Sequence, residues 1–322
     1  MAINNAEWLK VLKAEYLDSF IPGGGSAVKI GLIDTDSLDL LQGDIKASAE
    51  SAGFLFAPVD AKVVRVDKIE EIFFAVTRQI DWDRIIDGWL RRLFHENGVV
   101  TDNNLPLSDL DALAEANGLD KPGLLNRLNR LVANAIGSDY RMVRDFRTAL
   151  ILLCTERYNK QDVSPSNAEL IKQWLVGEKF SMGDLKKLMI YQKVNRHNAR
   201  LLLISLAVWL HNTGISGLAL LLNLNALVNE FPPEEAIRYA RSRTLDVYEV
   251  LRQFIDDTDK MAYFLVVVVS DLLLETHPKR GFPEYEALRL RTMDDVHIDG
   301  QENPLNTLVR LNSEVADEIY HA

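Results

Sequence analysis

Two aspartates one residue apart, Asp34 and Asp36, follow the apolar stretch 29–33 (KIGLI) and precede a helical pattern that starts at Ser37. Open α/β sheets place their ligands at the carboxyl ends of parallel strands, which is where this pair falls. The segment Asp34-Thr35-Asp36-Ser37 could hold Mg²⁺ between its carboxylates, one of which would attack a phosphoryl group. Asp271 and Glu275, just beyond the run FLVVVV, are candidates for a second acidic pair on that metal. The commoner role of such a cluster is simpler. Asp, Thr and Ser at a helix start cap free N–H groups and suit the helix dipole.

The same turn also lacks something. A nucleotide-binding chain puts a glycine-rich loop ending in Lys-Ser/Thr at this strand-to-helix junction. Here carboxylates stand in place of that lysine and those backbone N–H groups. Gly23-Gly24-Gly25-Ser26 with Lys29 has the composition of a phosphate loop, but it precedes the strand and reads as a flexible turn. The buried-strand pattern 218–222 (LALLL) runs into Asn223-Leu224-Asn225. A P-loop ATPase often carries Asp-Glu there, the Asp for the Mg²⁺ shell and the Glu to activate water. Asn223 carries no charge and Leu224 cannot polarise water. Taken alone, Asp-x-Asp is similar to the first motif of haloacid-dehalogenase-like phosphatases.

Other chemistry finds little support. The six histidines form no zinc pair at helical spacing with a third ligand, and no Gly-x-Ser-x-Gly elbow occurs. The single cysteine, Cys154, lies in the apolar run ALILLC, so neither a disulfide framework nor a cysteine metal site can form within the chain. Arg289 and Arg291 could act in trans on a neighbouring ATPase subunit, although surface arginines on a helix are commoner. Arg127, Arg130, Arg141, Arg144 and Arg147 are the one basic concentration worth testing for nucleic acid, with a solvated helix face as the commoner reading.

Composition sets the outer bounds. The chain has 322 residues, 48% hydrophobic and 26% charged, with a net charge of −11. That charge disfavours a broad electrostatic grip on nucleic acid. No apolar run approaches the about 20 residues that span a bilayer. MAINNAEWLK does not read as a signal peptide, so a cytoplasmic location is expected.

The elements that must position these residues alternate. Trp8, Leu9, Leu12, Tyr16, Leu17 and Phe20 predict an amphipathic helix over 5–20. Strand patterns follow at 28–33 and 54–59, with 63–66 either extending the second or forming a turn. Helices are predicted over 37–51 and 68–80. From about 82 to 180 helical periodicity dominates, with candidates at 109–116, 124–136 and 140–158. A helix over 196–212, a strand at 218–222, a helix over 244–254 and the apolar, β-branched strand 264–269 come next. A last strand is predicted at 308–311, then a short C-terminal helix. The expected division is 1–81 as the first half of an α/β core, 82–180 as an all-helical insertion or subdomain, and 181–322 as the second half. β-α-β alternation argues for a mainly parallel sheet with flanking helices.

Seven segments together resemble the P-loop ATPases of BREX and related phage-defence systems. They are FIPGGGSAVKIG, GFLFAPVDAK, IFFAVTRQIDW, RHNARLLLISLAVWLHNTGISGLALLL, LDVYEVLRQFIDDTDKMAYFLVVVVSD, GFPEYEALRLR and NPLNTLVRL. The resemblance implies an AAA/RecA-like P-loop-type core, antiviral defence, and other defence-system proteins as partners, an active ATPase homologue and further copies of the chain among them. The family's Walker A pattern would fall at 33–40, where IDTDSLDL has neither its glycines nor its lysine. The Walker B acid would fall at Asn223. The resemblance therefore implies a degenerate nucleotide pocket of Asp34, Thr35, Asp36, Ser37, Asn223, Asn225 and Ser270. ATP and Mg²⁺ are not expected as cofactors, and a pseudo-ATPase scaffold is the expected function. The alternatives are a Mg²⁺-dependent phosphohydrolase using Asp34, Asp36, Asp271 and Glu275, or a nucleotide binder without turnover.

Overall fold

A run such as FLVVVVS can bury both faces of a strand, and three strands here do so. The computed structural model describes residues 2–102, 105–160, 166–232, 234–293 and 303–313. Its six strands are β1 (Ile3–Asn4), β2 (Ser26–Leu32), β3 (Leu55–Asp60), β4 (Leu218–Asn223), β5 (Phe264–Ser270) and β6 (Leu308–Asn312). They form one sheet in the order β1-β6-β2-β5-β4-β3, and every neighbouring pair is parallel. All positions of β2, β4 and β5 are buried, as expected of parallel strands covered on both sides. Each fully buried Val or Leu of this kind contributes about 1.5–3 kcal/mol. Pro58 lies in β3, which pairs on one side only, so its missing N–H costs no ladder bond there. The fold is thus α/β with flanking helices, consistent with a P-loop-type core.

The chain divides into two compact units, 1–76 with 215–322, and 77–214. The first holds the sheet. One sheet face (Ala27, Ala219, Leu221, Leu265, Val267, Val309) packs against α1 (Asn5–Val11) and its continuation, and against α2 (Leu38–Ser51). The unit also includes most of α3 (Ile69–Thr77). The 5–20 helix is α-helical only as far as Val11 and π-helical over Leu12–Phe20. Its wider turn buries Trp8, Leu12, Leu17 and Ile21, at spacings of four, five and four, and leaves the expected core residue Phe20 50% exposed. The two-residue β1 is too short to give a sequence pattern. Residues 63–66 form a turn, and the C-terminal helix expected after β6 lies outside the described residues.

Among its described residues the second unit has no strand. It contains α4 (Trp82–Glu96), α5 (Leu110–Ala116), α6 (Lys121–Gly137), α7 (Arg144–Tyr158), α8 (Asn167–Val176), α9 (Met182–Lys187) and α10 (Ala199–Asn212). The helical unit is therefore wider than 82–180. Packing explains why α10 belongs to it. The Trp89 and Trp209 rings meet edge-on at 4.8 Å, Arg92 donates to the Asn212 carbonyl at 3.0 Å, and the Val143 N–H donates to Ser205 Oγ at 3.0 Å. Burial pushes the Cys154 thiol far above its ordinary pKa, which leaves it inert as a nucleophile.

Returning to the first unit, α11 (Arg241–Asp256) joins β4 to β5, with Phe254 edge-on to Phe264 at 6.0 Å. After β5 come α12 (Leu273–Thr276) and α13 (Glu286–Met293). The connection leaving β2 runs past β5 and β4 to reach β3, whereas the one leaving β5 passes β2 to reach β6. This divergence makes the carboxyl ends of β2 and β5 the topological switch point, where a ligand crevice is expected.

Candidate functional site

Parallel register brings the strand ends into one row. Leu32 pairs with Ser270, Asn223 with Val269, and Asp60 with Asn223. A chain of polar side chains runs along this row. Asn223 Nδ2 donates to Asp60 at 3.4 Å, and the Asn225 N–H donates to Asn223 Oδ1 at 3.0 Å. Asn229 Nδ2 donates to Asn225 Oδ1 at 2.6 Å and to Thr35 Oγ1 at 3.4 Å. Thr35 Oγ1 donates in turn to Asp271, whose other oxygen accepts the Leu273 N–H at 2.7 Å. The ends of β3, β4, β5 and β2 are thus tied together by amides, one hydroxyl and two carboxylates, with no lysine or arginine among them.

Of the sequence-predicted residues, Thr35, Asn223, Asn225 and Asp271 join this row and the others do not. Asp34, Thr35 and Asp36 are exposed. A 3₁₀ turn, Thr35–Ser37, precedes α2, and neither Asp34 nor Ser37 makes a side-chain cap. The capping role expected of them is not used. The Asp34 carbonyl instead accepts the Ser37 N–H at 2.9 Å, closing the turn through the backbone. Asn223 and Asn225 are buried, and Leu224 between them is completely so. The Leu224 N–H donates to the Val269 carbonyl at 2.9 Å. Ser270 is buried, and its hydroxyl has no hydrogen-bond partner among the described residues. Glu275 forms an ion pair with Arg310, with Nε donating at 2.7 Å. Among the described residues no three His, Cys, Asp or Glu side chains are grouped to hold a metal ion.

Lys29, the lysine of the misplaced glycine stretch, is buried within β2. Its ammonium donates to the Leu305 carbonyl and, at 3.0 Å, to that of Asn306, and it sits 4.4 Å over the Tyr16 ring. It therefore serves the chain before β6 and not a phosphate. Arg291 is ion-paired with Asp256, and Arg289 lies 3.8 Å from Glu286.

The basic concentration of the helical unit is largely committed to its own fold. Arg127 donates to the Asn97 carbonyl at 2.6 Å, just past the end of α4. Arg147 donates to the Gly137 carbonyl at 2.7 Å, at the end of α6. Arg141 pairs with Asp139 at 2.7 Å and thereby holds that carboxyl down at about 2. Arg144 lies 5.7 Å from the Tyr191 ring, and Arg130 is exposed.

Sequence reasoning missed Asp60, Asn229 and the segment 230–241 beyond it. Burial, above all, raises the Asp60 pKa, and a charge at Asp39 adds to the rise; the Lys62 N–H (2.7 Å from Oδ1) and the Lys62 charge oppose it. A carboxyl whose pKa is higher folded than unfolded favours the folded state below the unfolded value of about 3.9, and this advantage is lost as pH rises through the folded value. Ionised Asp60 therefore costs stability at neutral pH. Asp60→Asn keeps an oxygen for the Lys62 N–H and removes that cost. Its stability relative to the wild type should rise between about pH 4 and about pH 7, as read by urea unfolding at both. A flat difference would contradict this reading.

The model of the family described as BREX system ATP-binding protein BrxC/D matches residues 85–322. The chain belongs to the BrxC/D family of BREX ATP-binding proteins. The matched stretch includes β4, β5 and β6 but begins after β2 and the turn at 34–37. No curated protein and no solved structure matches the chain significantly. Family membership ties the chain to BREX phage defence and to the other proteins of such a system. No described helix is long and apolar enough to cross a membrane.

Proposed function

We propose that this BrxC/D-family chain is a pseudo-ATPase, a P-loop-type core kept as a scaffold or regulatory subunit of a BREX-type assembly. The observation that carries the reading is the strand-end row. At the position of a water-activating Glu stands Leu224, fully buried, and at the metal-holding position stands Asn223, already bonded to Asp60 and Asn225. Opposite them, at 34–36, carboxylates face solvent where a triphosphate needs N–H groups and a lysine. Two like charges at close range oppose phosphate, and the one buried lysine of β2 is engaged elsewhere. These residues do not fit ATP·Mg²⁺, so no catalytic step is assigned to it. A Mg²⁺ phosphohydrolase centred on Asp34 draws no support from Glu275, which is ion-paired with Arg310.

Partners under this reading are other proteins of the defence system, an active ATPase homologue and further copies of the chain among them. Thermal unfolding with Mg²⁺, and with Mg²⁺ plus ATP, tests the emptied pocket. A nucleotide at 100 times its Kd stabilises by about 2.7 kcal/mol, which moves the midpoint by several degrees. The expected result is the same midpoint in both. A shift specific to ATP would establish a nucleotide binder and remove the reading of an emptied site.

A further inference from the structure

A cleft of about 560 Å³ lies beside the polar row, lined by residues that follow β4 and by the turn after α12. Its charge is one-sided. Among the described residues, Arg238, Arg241, Lys279 and Arg280 line it, against one carboxylate, Glu230. This stands out in a chain of net charge −11. Two of the cations brace the walls. Arg241 is paired with Glu284 at 2.7 Å, and Arg280 donates to the Leu227 carbonyl at 3.2 Å. The other two, Arg238 and Lys279, are exposed, and their side chains have no hydrogen-bond or ion-pair partner among the described residues.

Apart from Asn229, the rest of the lining is mostly apolar, and several of its residues are fixed by bonds to the turn after β3. Phe231 lies 4.6 Å from the Lys62 ammonium. The Ile237 N–H donates to the Lys62 carbonyl at 2.9 Å. The Tyr239 hydroxyl donates to the Val64 carbonyl at 2.8 Å, and burial pushes that phenol up to about 12. These bonds tie 237–239 to the turn after β3, so the cleft is built on anchored backbone.

We infer that this cleft docks a short acidic segment of a partner protein, one that interleaves carboxylates with apolar side chains. The carboxylates meet Arg238 and Lys279, and the apolar residues meet Phe231 and Ile237. A polyphosphate or a nucleic-acid strand fits less well. Phe231 and Ile237 suit apolar side chains, which a polyphosphate lacks, and among the described residues no glycine lines the cleft to offer a phosphate-binding backbone loop. The inference rests on the scaffold reading and supplies the chemistry of its partner.

The test is fluorescence anisotropy of the full chain with a labelled peptide alternating Glu with Leu and Phe. Saturable binding is expected, weakening as salt rises. Arg238→Glu combined with Lys279→Glu should weaken it by about tenfold or more while leaving the unfolding midpoint unchanged, since both side chains are exposed. Should the reversed variant misfold, Arg238→Gln with Lys279→Gln must still show the loss. Absent binding, or equal binding to wild type and variants, overturns the proposal. So does an oligothymidylate that binds the wild type and is lost on the same substitutions, because the ligand would then be phosphate. ATP turnover is measured separately. Turnover with intact peptide binding removes the scaffold reading alone, and absent peptide binding without turnover removes the docking proposal alone.

Discussion

Leu224→Glu is expected to lower the unfolding free energy by about 3–5 kcal/mol, the scale of an uncompensated buried charge. The substitution rewrites the position where an active relative would carry its water-activating acid. Leu224 is fully buried, between buried Asn223 and Asn225. Among the described residues, the side chains bonded along the strand-end row include no lysine or arginine to receive a new carboxylate. The glutamate must therefore either protonate or force the segment open, and the loss should deepen as pH rises. Urea unfolding reads the effect. Pairing it with Asn223→Asp should not generate phosphate release, because the turn at 34–37 still lacks its lysine and glycines. Wild-type stability in the Leu224→Glu variant would show that this side chain can reach solvent and that the site is less closed than described.

Gly217→Ala should cost about 3 kcal/mol through a different cause. Gly217 has a φ of +156°, and a Cβ there would lie 2.3 Å from the Tyr263 carbonyl oxygen, a backbone atom. That carbonyl is already fixed by the Leu218 N–H at 2.9 Å, and the Gly217 carbonyl accepts the Leu55 N–H at 3.0 Å. Moving either strand to make room disturbs the register of β3, β4 and β5 together. The effect should appear as a lowered urea midpoint with an unchanged slope. A neutral result would mean that the amino ends of these strands yield more easily than their bonding implies.

How much of this was legible in the sequence depends on the signal each residue carries. The strands 218–222 and 264–269 announce themselves, because a short continuous apolar run, β-branched in the second case, suits a parallel strand covered on both faces. Order in the sheet is another matter. Nothing local tells that β6 lies beside β2, since that pairing is fixed by Lys29 reaching the carbonyls of Leu305 and Asn306 and by the ladder itself. The π-helical turn over Leu12–Phe20 was hidden because helical periodicity was read at an α spacing. Asp34, Asp36, Asn223 and Asn225 could be found because they end recognisable strands. Asp60 ends a strand too, and the same rule would have found it; Pro58 and the weak alternation of β3 made that strand the less conspicuous one. The cleft cations could not be paired from the sequence. Arg238 and Lys279 are 41 positions apart by their numbering, and only the fold brings the two segments to one cavity.

The most direct measurement of the central claim is phosphate release from saturating ATP with Mg²⁺ by the purified chain. The prediction is a rate no higher than that of buffer, and no change on Asp34→Asn or Asp271→Asn. Release well above buffer that falls in either variant would contradict the account, because it would place working catalytic chemistry at strand ends described here as emptied of it.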